Sequence, residues 1–241
     1  MKREQVTEGA QGGADSGMPG TLFVVATPIG NLEDITLRAL RVLREADLIA
    51  AEDTRATRKL LARYDIHTKL VSYYQGRECE KEESLVATLK RGESVALVSE
   101  AGTPCISDPG FRLVRRAVEE GLRVEPIPGA SAAIAALSAA GLPTDRFTFV
   151  GFLGDKPGKR RKALEELRAV SNTLVFYLSK WKAQAHLRDC LEILGDRRAC
   201  LCRELTKIHE EFRRGALSEL LASVEEKSLK GEIVLLVEGP F

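Results

Sequence analysis

A repeated order of strand, polar loop and helix constrains the fold of this 241-residue chain most strongly. The apolar run Val95–Val98 suits a buried strand, the loop at residues 99–110 follows it, and a helical pattern begins near Phe111. Similar runs at residues 21–26 and Leu48–Ala51 also end in polar loops that lead into helices. Strands that alternate with helices at this spacing predict a parallel, doubly wound sheet and an α/β fold class.

The loop at residues 99–110, SEAGTPCISDPG, has the composition of a ligand-binding loop. Its two glycines permit close backbone approach or a positive φ, and its two prolines stiffen the path. Such strand-to-helix loops line the ligand crevice of open α/β sheets. An ordinary tight connection, capped by Ser107 or Asp108, would explain the same residues. The loop alone favours neither interpretation.

Charge balance, cysteine spacing and the lack of long apolar runs limit the classes of function that this chain could have. Lys and Arg total 36 against 35 for Asp and Glu, so the net charge of +1 does not by itself indicate a nucleic-acid-binding protein. The five cysteines form no Cys-x-x-Cys pair and no metal-ligand spacing with the three histidines, which predicts reduced thiols and no metal. We expect a cytoplasmic protein with no membrane partner, because no signal peptide or bilayer-length apolar run is evident.

We predict two α/β domains after a disordered extension. Residues 1–19 have too few apolar groups to offset the entropy of ordering. Residues 20–128 form the first domain, whose last strand must be short or lie at a sheet edge because of Pro126. Residues 129–241 form the second domain, for which the sequence does not determine strand directions. Asp34 is expected to cap the first helix.

Two clusters of cations are candidate phosphate contacts. Arg55, Arg58 and Lys59 share one face of a helix that Asp53 or Thr54 is expected to cap, although this stripe also suits the solvated face of an amphipathic helix. A second cluster lies where a helix begins, and there the macrodipole disfavours positive charge. Its candidate contacts are Lys156, Lys159, Arg160 and Arg161. Either a phosphate partner or a mobile solvated loop would explain the second cluster.

Seven junctions occur in an order that resembles one known family. They are VATPIGNLEDIT from residue 25, AEDTR from 51, SEAGTPCISDPG from 99, PIPGASA from 126, GFLGDK from 151, RELTK from 203 and KGEIVLLVEG from 230. Together they resemble the ribosomal RNA small-subunit methyltransferase I family, a branch of the tetrapyrrole methylase superfamily. The resemblance covers residues 20–239.

The resemblance implies two α/β domains of the tetrapyrrole methylase type, with S-adenosylmethionine in the cleft between them. It implies methyl transfer to a ribose 2′-hydroxyl of a cytidine in 16S ribosomal RNA of the small ribosomal subunit. Homodimers are common in the superfamily, so a homodimer is expected as well. Carried over by position, the cofactor contacts are Pro28, Ile29, Gly30, Ala101, Gly102, Thr103, Ile106, Ser131, Ala132, Leu178 and Thr206.

Polar side chains at the ends of the first-domain strands are candidates for the chemistry. Methyl transfer from a sulfonium requires sulfur, methyl and hydroxyl oxygen to be held in line, and a polar group to take or orient the hydroxyl proton. We assign orientation to Asn31, and charge stabilisation or proton acceptance to Asp53 or Glu100. A simple helix cap is the alternative role for Asp53.

The chain departs from the family pattern at three places. Glu100 replaces an expected aspartate, residues 179–182 (SKWK) replace a usual Glu-Ser-Pro-His-Arg segment, and the sequence reaches Phe241 without the small helical tail of many members. These changes bear on RNA docking and activity. Two other functions therefore remain open: a methyltransferase of a small tetrapyrrole or other metabolite, and a non-catalytic ribosome-binding or assembly factor with the same fold.

Overall fold

The structure, a computed structural model, describes residues 18–74, 78–226 and 229–240. The predicted disordered extension lies outside these ranges except for its last two residues, Met18 and Pro19. None of the helices in the described ranges combines the length and the apolar character that crossing a membrane requires.

Five parallel strands form the first sheet. In chain order they are β1 (Thr21–Val25), β2 (Leu48–Ala51), β3 (Leu70–Ser72), β4 (Val95–Val98) and β5 (Arg123–Ile127). Their order across the sheet is β3-β2-β4-β1-β5, and every neighbouring pair is parallel. The parallel sheet is as the sequence predicts. Strand β5 lies at an edge of the sheet, as expected. Proline has no backbone N–H to donate, and at an edge Pro126 does not interrupt the hydrogen bonds between interior strands.

Helices cover both faces of this sheet. They are α1 (Leu37–Glu45), α2 (Thr54–Arg63), α3 (Glu78–Lys90) and α4 (Phe111–Glu119). Helices α1 and α2 pack on one face, and α3 and α4 pack on the other. Because alternate strand residues point to opposite faces, Ala96 of β4 joins the first core and Leu97 joins the second. This two-sided burial explains the continuous apolar runs in the sequence.

Helix α1 begins later than the sequence indicates. Asp34 belongs to a 3-10 turn at Leu32–Asp34 and does not cap α1. The cap is Thr36, whose Oγ1 accepts a hydrogen bond from the backbone N–H of Ala39 at 3.1 Å. The prediction for Asp34 is wrong because the 3-10 turn separates that residue from the helix.

A mixed sheet forms the second half of the chain. Its strands are β6 (Phe147–Phe152), β7 (Thr173–Leu178), β8 (Arg198–Arg203), β9 (Glu211–Ala216) and β10 (Ile233–Val237). Their order is β6-β7-β10-β8-β9; β6 and β7 are parallel, and the other neighbours are antiparallel. Strand β9 is not evident in the sequence, because an edge strand of sequence EFRRGA has no apolar run.

The helices of the second half are distributed unequally over its sheet. They are α5 (Ala132–Ala140), α6 (Pro157–Leu167), α7 (Ala183–Leu194) and α8 (Leu217–Glu226). Helices α6, α7 and α8 share one core with the sheet, whereas α5 packs on the opposite face with Cys200, Cys202 and Ile29. The small side chains of α5 thus allow Ile29, from the loop after β1, to join the second core.

Candidate active site

A cavity of about 580 Å³ lies between the two sheets. One wall comes from the loops that follow β1, β4 and β5, at the carboxyl edge of the parallel sheet. The other wall comes from the ends of β6 and β7, the loop after β8 and the start of β10. Because β10 is antiparallel to β7 and β8, its first residues lie beside their last ones. The volume suits a cofactor or another small molecule.

Most of the predicted cofactor contacts lie together on this cavity. Its lining includes Ile29, Ala101, Gly102, Thr103, Ile106, Ser131, Ala132 and Leu178. It also includes Glu100, one of the three predicted catalytic residues. Pro28, Gly30, Asn31, Asp53 and Thr206 are not among the lining residues.

Gly102 joins the loops that form the first wall. It exchanges two backbone hydrogen bonds with Thr27, of 2.9 and 3.0 Å. Its φ is +80°, and a Cβ at this position would lie 3.2 Å from Cγ2 of Ile29. The neighbouring Thr103 hydroxyl donates to the carbonyl of Ala130 at 3.2 Å. Glycine therefore satisfies both an unusual backbone conformation and a close approach.

Backbone strain is concentrated in two loops that line the cavity. Four of the five described non-glycine residues with positive φ lie there: Cys105 and Ser107 after β4, and Glu204 and Thr206 after β8. Such conformations are costly and persist where the surrounding structure enforces them, typically at functional sites. The strain thus marks the same region as the cavity.

Carboxylates give the first wall a negative charge. Glu100 and Asp108 line the cavity, and the backbone N–H of Glu100 donates to Oε2 of Glu52 at 3.2 Å. Burial, assisted by the charges of Glu52 and Glu100, raises the pKa of Asp108 to about 6. Burial also raises the pKa of Glu52. Asp108 is thus the cavity-lining carboxyl whose pKa is raised towards neutral pH.

Sequence reasoning considered Asp108 only as a polar loop residue or helix cap. The structure shows that it does not cap α4, which begins after Gly110 without a side-chain cap. The signal available in the sequence was its place between a serine and a proline in a strand-to-helix loop. That signal does not reveal burial beside Glu52, which lies on a different strand end.

Tyr177 connects the second wall to helix α5. Burial raises the pKa of its phenol, which accepts a hydrogen bond from the backbone N–H of Ala133. The rings of Phe149 and Phe152 contact it edge to face, at centroid distances of 5.2 and 5.5 Å. Sequence reasoning missed Tyr177, since an aromatic residue in a buried strand normally indicates core packing.

Asn31 and Asp53 serve as caps in the structure. Oδ1 of Asp53 accepts hydrogen bonds from the N–H groups of Arg55 and Ala56, at 2.6 and 3.2 Å, and these bonds lower its pKa. Oδ1 of Asn31 accepts from the N–H of Glu33 at 3.1 Å. The expected cap at Asp53 is confirmed. Neither side chain is among the residues that line the cavity, whereas Glu100 is.

Gly30 and Thr206 form a contact between the two halves of the chain. The backbone N–H of Asn31 donates to the Thr206 hydroxyl at 3.0 Å. A Cβ on Gly30 would lie 2.5 Å from Cγ of Lys207 and 2.9 Å from the carbonyl oxygen of Leu205. The sequence motifs at these residues therefore correspond to close packing across the junction rather than to the cavity wall.

An ion network supports the loop after β8. Nζ of Lys207 lies 3.0 Å from Oε1 of Glu204 and 2.9 Å from Oε2 of Glu232. Oε1 of Glu204 also accepts the N–H of Glu232 at 3.0 Å. All three residues line the cavity. Their pairing was not evident in the sequence, because Glu232 belongs to a distant segment.

The two basic clusters differ in exposure. Arg55, Arg58 and Lys59 are exposed on α2, as the amphipathic pattern predicts. In the second cluster, Lys156 and Lys159 are exposed.

Arg160 and Arg161 instead pair with acidic groups of α7. Arg160 is buried and its guanidinium contacts Oδ2 of Asp189 at 2.6 Å. Arg161 contacts Asp189 at 2.7 Å and Glu192 at 2.6 Å. These acidic partners, rather than an external phosphate, offset the charge at the start of α6. We therefore exclude Arg160 and Arg161 from the candidate RNA surface.

Comparisons with solved structures identify the fold. A cobalt precorrin-4 methyltransferase of cobalamin biosynthesis superposes with a TM-score of 0.68 at 18% identity, covering 90% of this chain and 94% of the other. A uroporphyrin-III C-methyltransferase from Thermus thermophilus gives 0.64 at 22% identity, with 90% and 94% covered. Likeness at these identities shows a shared architecture of two α/β units around a cleft.

Sequence comparisons identify the family. The family model for tetrapyrrole (corrin/porphyrin) methylases matches residues 21–221. Proteins named ribosomal RNA small subunit methyltransferase I are 54% identical in Halalkalibacterium halodurans, over 91% of this chain and 76% of that protein, and 45% identical in Thermotoga maritima, over 91% and 99%. The protein of Escherichia coli O157:H7 is 49% identical over 99% and 82%. The chain therefore belongs to the tetrapyrrole methylases and, among them, to the ribosomal RNA small subunit methyltransferase I family.

Proposed function

We propose that this protein uses S-adenosylmethionine to methylate a ribose 2′-hydroxyl of a cytidine in 16S ribosomal RNA. The observation that carries the proposal is the cavity itself, whose first wall holds both Gly102 and Asp108 at the junction of the two sheets. The names of the relatives support RNA of the small subunit as the substrate.

The residues of the first wall suit this cofactor. Backbone and small side chains at Ala101, Gly102 and Ala132 leave room for a ligand of several hundred cubic ångströms. The negative charges of Glu100 and Asp108 complement a cationic ligand. When bound, S-adenosylmethionine supplies a methyl group on a positively charged sulfonium. Ile29 and Leu178 would contribute the apolar contacts.

Asp108 is the residue that we assign to proton acceptance. A general base works best when its pKa lies near the operating pH, and the pKa of Asp108 is raised to about 6. At pH 7 its carboxyl is ionised and able to receive the proton of a ribose hydroxyl. Glu100 keeps the electrostatic role predicted from the sequence, and its charge helps to hold the pKa of Asp108 high.

The proposed RNA surface consists of exposed cations on two helices. Arg55, Arg58 and Lys59 lie on α2, which begins at the carboxyl edge of the first sheet. Lys156 and Lys159 lie at the start of α6, which follows the end of β6. Cations in these positions would neutralise backbone phosphates and release counterions. We also propose a cytoplasmic homodimer, on the basis of the family resemblance.

Methyl transfer to isolated ribosomal subunits tests this function. The purified protein is incubated with methyl-labelled S-adenosylmethionine and small subunits from cells that lack this enzyme, and the RNA is digested to nucleosides. We expect label in 2′-O-methylcytidine. Label in a tetrapyrrole supplied in a parallel reaction, but not in RNA, would favour the small-metabolite function. Calorimetry that shows RNA binding without cofactor binding would favour a non-catalytic factor.

A further inference from the structure

Three large apolar side chains remain exposed at the rim of the cavity. Trp181 is 84% exposed, Phe152 is 62% exposed and Ile106 is 44% exposed, although all three line the cavity. Their exposure leaves apolar surface uncovered directly beside the proposed cofactor site. Apolar patches at the edge of a cleft commonly mark a place where a ligand or partner binds.

The two aromatic residues come from neighbouring strand ends. Strands β6 and β7 are parallel, and Phe152 is paired in register with Tyr177. The Phe152 ring contacts that of Tyr177 at 5.5 Å and an interplanar angle of 66°, which fixes it at the end of the sheet. Trp181 follows the end of β7 by three residues. Both rings are therefore placed at the same edge of the second wall.

A cation accompanies the exposed indole. Nζ of Lys180 lies 4.8 Å from the centroid of the Trp181 ring, and Lys180 also lines the cavity. The indole thus offers a π-face beside a positive charge. This combination suits a nucleotide, whose base stacks on an aromatic ring and whose phosphate attracts a cation, better than it suits an apolar peptide.

We propose that Trp181 and Phe152 form a stacking subsite for an unpaired base of the RNA substrate. The inference rests on the proposed function and adds the conformation in which the RNA is recognised. A base that is still paired and stacked in a helix does not present its faces to protein side chains, whereas an unstacked base does. Since stacking is tolerant of sequence, this subsite selects an unpaired nucleotide and leaves the choice of cytosine to other contacts.

The chain provides a direct reporter for this subsite. Trp181 is the sole tryptophan among its 241 residues, so intrinsic tryptophan fluorescence arises from this position alone. A fluorescein-labelled RNA oligonucleotide with an unpaired cytidine loop is titrated into the full-length protein. Its anisotropy measures binding, and an unlabelled copy is used to measure the tryptophan emission. We expect quenching that saturates at the same RNA concentration as the anisotropy.

Substitutions separate stacking from general RNA affinity. Trp181→Ala and Phe152→Ala should each weaken RNA binding about tenfold, as the loss of one aromatic stacking partner does. Trp181→Phe should restore most of the affinity. Phe147→Ala is the matched control, because Phe147 is 41% exposed at the opposite end of the same strand. S-adenosylmethionine affinity, measured by calorimetry, should not change in the Phe147→Ala control, because Phe147 is not among the residues that line the cavity.

One set of results would refute the stacking subsite alone, and another would refute the proposed function. RNA binding without quenching, or unchanged RNA affinity in both alanine variants, would overturn the stacking subsite while leaving RNA methylation in place. Equal quenching by a fully paired duplex would also overturn it. Absence of any anisotropy change with small-subunit RNA would contradict the proposed function, and the inference with it.

Discussion

The two walls of the cavity differ in the types of residue that form them. The first wall consists mainly of backbone, small side chains and carboxylates on the loops of a parallel sheet, as at Gly102 and Asp108. The second wall carries larger side chains, including Trp181 and Lys180, on a mixed sheet. This difference supports the proposed division of work: the first wall supplies most of the cofactor contacts and the proton acceptor, Leu178 adds a cofactor contact from the second wall, and the exposed side chains of the second wall bind RNA.

The difference has a physical origin in the two sheets. All strands of the first sheet end at the same edge, so several short loops converge there and hydrogen-bond to one another, as Gly102 does with Thr27. In the second sheet only β6 and β7 are parallel neighbours, and their ends present the side chains of Phe152 and Trp181.

The largest expected effect is on the proton acceptor of the first wall. Asp108→Asn should lower kcat about 1000-fold, within the range typical of a lost general base, with little change in cofactor affinity. In the wild type, kcat should rise with pH and level off above about 6, because Asp108 must be ionised to accept a proton. Single-turnover methyl transfer between pH 5 and 8 measures both effects.

Asp34→Asn is the control for this substitution, since Asp34 is exposed in the 3-10 turn away from the cavity lining. It should retain wild-type kcat. A variant Asp108→Asn with wild-type kcat and an unchanged pH profile would remove Asp108 from the reaction and return that role to Glu100.

The next effect concerns cofactor binding. Gly102→Val should weaken S-adenosylmethionine binding about 100-fold, since the new side chain would meet Ile29 and fill part of the cavity. The control is Gly141→Val, because Gly141 has a similar φ of +75° but no atom within 4 Å of an added Cβ. Calorimetry compares the S-adenosylmethionine affinity of the two variants, after thermal unfolding has shown that both are folded. Equal cofactor affinity in both variants would contradict the assignment.

A smaller effect tests whether the first half of the chain also contacts RNA, through α2. Neutralising Lys59 or Arg58 by alanine should reduce the slope of log affinity against log salt by about 0.7 for each contact with a single strand. Arg41→Ala is the control, because Arg41 lies on α1 and pairs with Glu45 at 3.0 Å. RNA anisotropy from low to moderate salt gives the slopes. Unchanged slopes would restrict RNA contacts to the second wall.

The smallest effect concerns stability. A raised pKa means that folded Asp108 holds its proton more tightly than the unfolded chain, so stability is lost as pH rises through about 6. Asp108→Asn removes this loss. Because the carboxyl is partly solvated, we expect only about 1 kcal/mol, or a Tm about 2–4 °C higher than wild type at pH 8. Calorimetric melting at pH 5 should show a smaller difference. A constant difference across this range would refute the linkage.

Much of the fold could be predicted because two-sided burial leaves a strong pattern. The run Val95–Val98 is buried on both faces and was recognised at its observed bounds. The edge strand β9 has no such pattern. Its place depends on pairing with β8 and on bonds such as Arg214 to the carbonyl of Ala139, which local periodicity does not reveal.

The site was predictable where backbone conformation selects the residue type. Gly102 is an example, because a tight loop needs glycine whatever the ligand. Roles that depend on a distant partner were not predictable. The burial of Arg160 requires Asp189 on another helix, and the environment of Asp108 requires Glu52 on another strand end.

The most direct test of the division between the walls is a crossed binding measurement. Wild type, Gly102→Val and Trp181→Ala are each titrated with S-adenosylmethionine by calorimetry and with the loop RNA by anisotropy, in one buffer. The account predicts that Gly102→Val loses cofactor affinity and retains RNA affinity, whereas Trp181→Ala loses RNA affinity and retains cofactor affinity. Loss of the same ligand by both variants would contradict it.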